Sequence, residues 1–132
     1  MTANDACVRA IVMKVLIVES DPDLGTLWKR HMERMDMDVR LEGGQAKAIG
    51  ALQTQVFDII VLNLVLAQGS ALAVADFASY RHPDSQIVFV TSTSFFSDGS
   101  IFAHSANARA MVQTDTPAED LANMVAHYGR PV

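Results

Sequence analysis

Phe57-Asp58-Ile59-Ile60-Val61-Leu62-Asn63-Leu64-Val65-Leu66 is the stretch whose reading decides the fold. Ile59 to Leu62 are all apolar and mostly β-branched, with Phe57 just upstream. A short unbroken run of that kind suits a strand covered on both faces, as in a parallel sheet packed between helices. Asn63 breaks the run with a polar group. In open α/β sheets the carboxyl ends of central strands are where ligands and chemistry collect, so Asn63 is the first candidate for a functional role.

Working outward, Val15-Leu16-Ile17-Val18 and Ile87-Val88-Phe89-Val90 are runs of the same buried type. Asp38 to Glu42 alternates polar and apolar residues as an edge strand does, and Ala110-Met111-Val112 reads as a short fifth strand. Helices fit between them. Ser20 or Asp21 is placed to cap a helix opened by Pro22, with Asp23 near its positive end. Leu24, Leu27, Trp28, His31, Met32 and Met35 form its expected apolar face; His31 there reads as a satisfied or half-exposed side chain and not as a metal ligand. After Gly43-Gly44, a second helix turns Ala46, Ile49 and Leu52 inward. A third, from about Ala71 to Tyr80, is expected to bury Leu72, Val74 or Ala75, and Phe77. A short helix is expected around Gly99 to Ala106, closed by Asn107, and Pro117 opens a last one with Leu121, Met124, Val125 and Tyr128 on one face. Strand and helix thus alternate five times, which predicts an α/β fold with a parallel sheet and right-handed crossovers. Residues 1–13 read as an N-terminal extension, 14–129 as the domain and 130–132 as a tail.

The bulk properties narrow the function. With 132 residues, 50% of them hydrophobic and 19% charged, the chain is expected to be one globular domain. A net charge of −5 and the lack of a basic patch argue against a nucleic-acid binder; Lys29, Arg30 and Arg34 alternate with acids on a solvated helix face. Cys7 is the single cysteine, so no internal disulfide is expected. Neither a signal peptide nor a membrane-length apolar run is seen, which makes the cytoplasm the expected location. His31, His82, His104 and His127 are scattered, and no nucleophile–base pair is recognisable, so an enzyme is not expected.

The polar residues at the strand ends are Glu19-Ser20-Asp21, Asn63, Thr91-Ser92 and Gln113-Thr114. With this spacing, the chain from Lys14 to Tyr128 resembles the receiver domains of two-component response regulators. Val15 to Pro22 resembles the first strand and acidic loop, Phe57 to Leu66 the third strand, Gly69-Ser70-Ala71-Leu72 the loop after it, and Pro117 to Leu121 the start of the last helix. The resemblance implies a flavodoxin-like, doubly wound (βα)5 fold with strand order 2-1-3-4-5.

It also implies a chemistry that these residues do not supply. A receiver accepts a phosphoryl group on an aspartate at the end of strand three, holds Mg²⁺ with two further carboxylates, contacts the phosphoryl group through a hydroxyl and neutralises it with a lysine. Here the acceptor position is Asn63, and an amide is a poor nucleophile. The acidic pair falls on Glu19 and Ser20, so one carboxylate is missing unless Asp21 reaches in. Thr91 keeps the hydroxyl position, Thr114 replaces the lysine and Met111 stands at the aromatic switch position. Mg²⁺ favours carboxylates and water, so no cofactor is expected and Mg²⁺ binding is expected to be weak or absent. The leading expectation is an atypical receiver acting by phosphorylation-independent protein contact, through a surface that includes Phe95, Phe96, Ile101 and Phe102. Its partners would be signalling proteins, a homodimer being left open, with no nucleic acid and no membrane. The alternatives are a phosphoacceptor using another residue, such as Asp21 or Asp58, and a small-ligand or flavin-binding module of the same topology.

Overall fold

The computed structural model describes residues 12–92 and 108–129. Five strands, β1 (Lys14–Val18), β2 (Asp38–Glu42), β3 (Ile59–Asn63), β4 (Gln86–Thr91) and β5 (Ala108–Gln113), form one sheet in the order β2-β1-β3-β4-β5. Every pairing is parallel. The described helices are α1 (Pro22–Glu33), α2 (Gln45–Thr54), α3 (Ala71–Arg81) and α4 (Ala118–Gly129). The short helix expected around Gly99 to Ala106, and Phe95, Phe96, Ile101 and Phe102 with it, lie outside the described residues.

The reason for unbroken apolar runs is visible in the two core layers. Side chains alternate across a strand, and here both sides are covered. Leu16, Val18, Ile60, Leu62, Ile87 and Phe89 face α2 and α3. Val15, Ile17, Ile59, Val61, Val88 and Val90 face α1 and α4, packing on Trp28, Met32, Leu121 and Val125. All five residues of β3 are buried, as befits the middle of the sheet. β2, at the edge, buries only Val39.

The helix faces match the apolar stripes expected above in part: Trp28, Met32, Leu52, Val74, Ala75, Leu121 and Val125 are buried as expected, and others are not. In α1 the buried residues are Gly25, Trp28 and Met32, while Leu27 is 45% exposed and Met35, beyond the helix end, 40% exposed. In α2 they are Ala48, Ala51 and Leu52, with Ala46 exposed and Ile49 partly buried. In α3 they are Ala71, Val74, Ala75 and Ala78, with Leu72 41% exposed and Phe77 partly buried. In α4, Leu121, Ala122, Val125 and Gly129 are buried, and Met124 and Tyr128 are only partly so. In α2 and α3 small residues dominate the contact with the sheet, because a helix laid on a flat layer of branched side chains approaches most closely where its own side chains are shortest; α1 and α4 instead set Trp28, Met32, Leu121 and Val125 against it. The larger apolar groups on the flanks are left at the rim.

The solvated face of α1 carries an ion pair from Lys29 Nζ to Glu33 at 3.5 Å. Gly50 sits inside α2, and a Cβ added there meets nothing within 4 Å. Glycine in a helix interior is worth up to ~1 kcal/mol less than alanine. Gly50→Ala is therefore expected to stabilise the protein by about 0.5–1 kcal/mol, measured as a higher urea midpoint with an unchanged slope.

Candidate functional site

The carboxyl ends of all five strands lie at one edge of the sheet, and the register fixes what they bring. Asn63 pairs with Val90 and Thr91 with Gln113 across neighbouring strands. Glu19 follows β1, its backbone N–H bonded to the Glu42 carbonyl at the end of β2. Glu19, Asn63 and Thr91 are all buried. The topology thus gathers the strand-end residues singled out in the sequence.

The centre of the site is a contact between two of them. Asn63 Nδ2 donates to Glu19 Oε1 at 2.6 Å. The second carboxylate oxygen, Oε2, accepts from the backbone N–H of Asp21 at 2.9 Å. Asn63 Oδ1 accepts from the Val65 N–H at 2.9 Å, so the amide is satisfied on both sides. Burying an isolated carboxylate is costly unless donors replace the lost water. Hydrogen bonds to a charged group are worth about 1.5–3 kcal/mol each, and Glu19 has two of them.

Asp21 does not turn toward Glu19. Its side chain caps α1, with Oδ1 accepting from the N–H groups of Asp23 at 3.0 Å and Leu24 at 3.4 Å, and it is exposed. Of the two caps left open by the sequence, Asp21 is the one used, and its carboxylate is spent at the helix end. Among the described residues no group of three or more His, Cys, Asp or Glu side chains is arranged to hold a metal ion.

The remaining positions fall at the same edge. The Thr91 carbonyl accepts from the Thr114 N–H at 2.9 Å, and Thr114 is partly buried just past β5. Gln113 is exposed. Met111 lies opposite Phe89 and packs against the α2–α3 side of the core. Asp58 is at the other end of the sheet, where its Oδ2 accepts from the Lys14 N–H at 2.8 Å.

Ser20 has a role that sequence reasoning missed. Its Oγ donates to the Gly43 carbonyl at 2.8 Å and accepts from the Ala67 N–H at 2.8 Å, joining the loops after β1, β2 and β3. A related tie runs through Gln45, whose Oε1 accepts from the Ser70 N–H at 2.7 Å while its own N–H donates to the Gln68 carbonyl at 3.2 Å. Gly69 makes that approach feasible: its φ is +85°, and a Cβ there would lie 2.4 Å from Gln45 Cβ. Between the tied loops is an open cleft of about 740 Å³ bordered by Ser20, Gly43, Gly44, Lys47, Gln68 and Gly69. The one hint in the sequence was a hydroxyl placed among acids opposite a Gly43-Gly44 pair with no side chains to shield its carbonyls.

Five parallel strands in this order, layered between helices on both faces, define a flavodoxin-like sheet of the receiver type. The fold is that of CheY-like response-regulator receiver domains. No family model matches the sequence. The chain is 29% identical over 79 residues to the response regulator protein PilR of Pseudomonas aeruginosa, a match that covers 60% of this chain and 18% of that one. In three dimensions it superposes on a CheY-like receiver domain protein from Methanospirillum hungatei with a TM-score of 0.81 and 15% identity, covering 89% of this chain and 94% of that one. The non-phosphorylated HemR receiver domain of Leptospira biflexa gives a TM-score of 0.80 at 18% identity, covering 91% and 96%.

Proposed function

We propose that this protein is a receiver-like signalling module that works by protein contact and not by phosphoryl transfer at Asn63. The observation that carries this reading is the buried contact from Asn63 Nδ2 to Glu19 Oε1. At the end of the central strand, where the receiver pattern calls for a nucleophilic carboxylate, stands an amide whose nitrogen lone pair is delocalised and whose N–H is donated. The groups a cation would draw on are engaged elsewhere: both Glu19 oxygens accept hydrogen bonds, and Asp21 caps α1. These residues do not fit Mg²⁺, which favours an octahedral set of carboxylate and water oxygens, and no step of the reading passes through it.

The competing readings have less support. Asp21 and Asp58 as phosphoacceptors are disfavoured because one is committed to a helix cap and the other lies at the far end of the sheet. A flavin or nucleotide module would want a glycine-rich phosphate cradle after β1, where this chain carries Glu19, Asp21 and Asp23. In our reading the protein is not an enzyme and is cytoplasmic; no described helix is long and apolar enough to cross a membrane. Val65, whose N–H is bonded to Asn63 Oδ1, is 59% exposed and supplies apolar contact area for a partner beside the site.

Affinity capture from the native cell, with and without prior treatment of the protein with phosphoramidate and Mg²⁺, tests this. The same partners are expected in both arms. A partner held only after treatment, or no partner together with a monomeric mass at high concentration, overturns the proposal.

A further inference from the structure

We propose that Ser20 is a positioning residue that, together with the Glu19–Asn63 contact, ties the loops after β1, β2 and β3 together in place of a divalent cation. This deepens the reading given under Proposed function and rests on it. A divalent cation joins loops by attracting several oxygens at once, and a Mg²⁺ site usually draws on one or two carboxylates to do so. At this edge the same joining is done by hydrogen bonds. Ser20 Oγ holds the Gly43 carbonyl and the Ala67 N–H simultaneously, each at 2.8 Å.

Only a group that is both donor and acceptor can do this. A hydroxyl has one proton to give and two lone pairs. A carboxylate at position 20 would be acceptor-only: it would keep Ala67 N–H but repel the Gly43 carbonyl. The acid that the receiver pattern places here and the tie that this chain makes are therefore mutually exclusive. Asn63 follows the same logic, its amide giving a proton to Glu19 and taking one from Val65 N–H. The network leaves Glu19 as its one charged side chain. The loops are thus held without an external ion, and their arrangement does not respond to divalent cation concentration.

Amide hydrogen exchange of the full chain, followed residue by residue by NMR, tests the tie. Ser20→Ala is expected to speed exchange at Ala67 about three- to tenfold, the loss of one modest hydrogen bond, with the amides of Val15 to Val18 unchanged. Ser20→Thr, which keeps the hydroxyl, is expected to restore protection, and Ser20→Asp to move the Gly43 resonance and make it sensitive to Mg²⁺. The wild-type Gly43 and Ala67 resonances are expected to stay in place on Mg²⁺ titration. Unchanged Ala67 exchange in Ser20→Ala, or a Mg²⁺-dependent shift of either resonance in the wild type, overturns the proposal. If Ser20→Ala does not fold, the contrast between Ser20→Thr and Ser20→Asp decides, a Gly43 resonance that stays in place in both being the contrary result. The outcome is separable from the functional reading: phosphorylation of the wild type would defeat that reading and leave these exchange rates as they are.

Discussion

Asn63→Asp is expected to destabilise the protein by about 2–4 kcal/mol at neutral pH, the size of effect seen when like charges are forced together in a site of low dielectric. The substitution changes one atom at Nδ2 but reverses its role. A donor 2.6 Å from Glu19 Oε1 becomes a second acceptor carrying charge. The other half of the side chain, which accepts from Val65 N–H, is preserved, so the lost contact is isolated from the rest of the loop. The new pair can relieve its repulsion by sharing a proton, which raises the folded-state pKa of the pair above the value in the unfolded chain. Since the folded state then binds more protons, its stability falls as pH rises through that raised pKa. The difference from wild type is thus expected to be smallest near pH 4 and to grow toward pH 7. Two adjacent carboxylates also suit a divalent ion, so millimolar Mg²⁺ or Ca²⁺ is expected to recover part of the loss in the variant and none in the wild type. Urea unfolding of both proteins across pH, with and without the ion, makes the comparison. A variant as stable as wild type at pH 7 in the absence of divalent ions would show that the Glu19–Asn63 contact does not organise the site.

Trp28→Ala is expected to cost about 3–5 kcal/mol, the range for truncating a large buried aromatic side chain. Trp28 is 1% exposed and packs α1 onto the sheet face formed by Val15, Ile17, Ile59 and Val61. Emptying that volume also loosens the seat of α1, whose first turn is capped by Asp21 and whose cap residue donates its N–H to Glu19. Equilibrium urea denaturation measures the cost. The neighbouring Leu27→Ala, at a 45% exposed position, is expected to stay within about 0.5 kcal/mol, as surface substitutions do. Equal costs at the two positions would contradict the assignment of the buried face.

That contrast marks how far the sequence could be read. The central strands were legible because Ile59 to Leu62 and Val15 to Val18 must be apolar on both sides, and nothing else explains runs of that length. The helix faces were less legible. Leu27 and Leu72 have the spacing and the hydrophobicity of core residues, yet they lie at the rim, and in α2 and α3 Ala48, Ala51, Ala71 and Ala78 take the contact because close approach rewards small side chains. Hydrophobicity ranks residues by transfer from water, whereas the sheet selects them by distance.

At the site, the positions Glu19, Ser20, Asn63, Thr91 and Thr114 could be located through strand order and the receiver resemblance. Their bonding could not. Whether Asp21 turns to its helix or to Glu19 depends on the competition between a cap and an ion site, and only the geometry decides it. The Ser20 tie spans residues separated by 23 and 47 positions in the chain, and no local pattern announces a hydrogen bond between loops so far apart.

The central claim is that the carboxyl edge of this receiver fold carries no working phosphoacceptor. Intact-mass spectrometry of the protein after incubation with phosphoramidate or acetyl phosphate and Mg²⁺ tests it most directly. The unmodified mass is expected; a gain of one phosphoryl group, mapped to any residue at this edge, would contradict it.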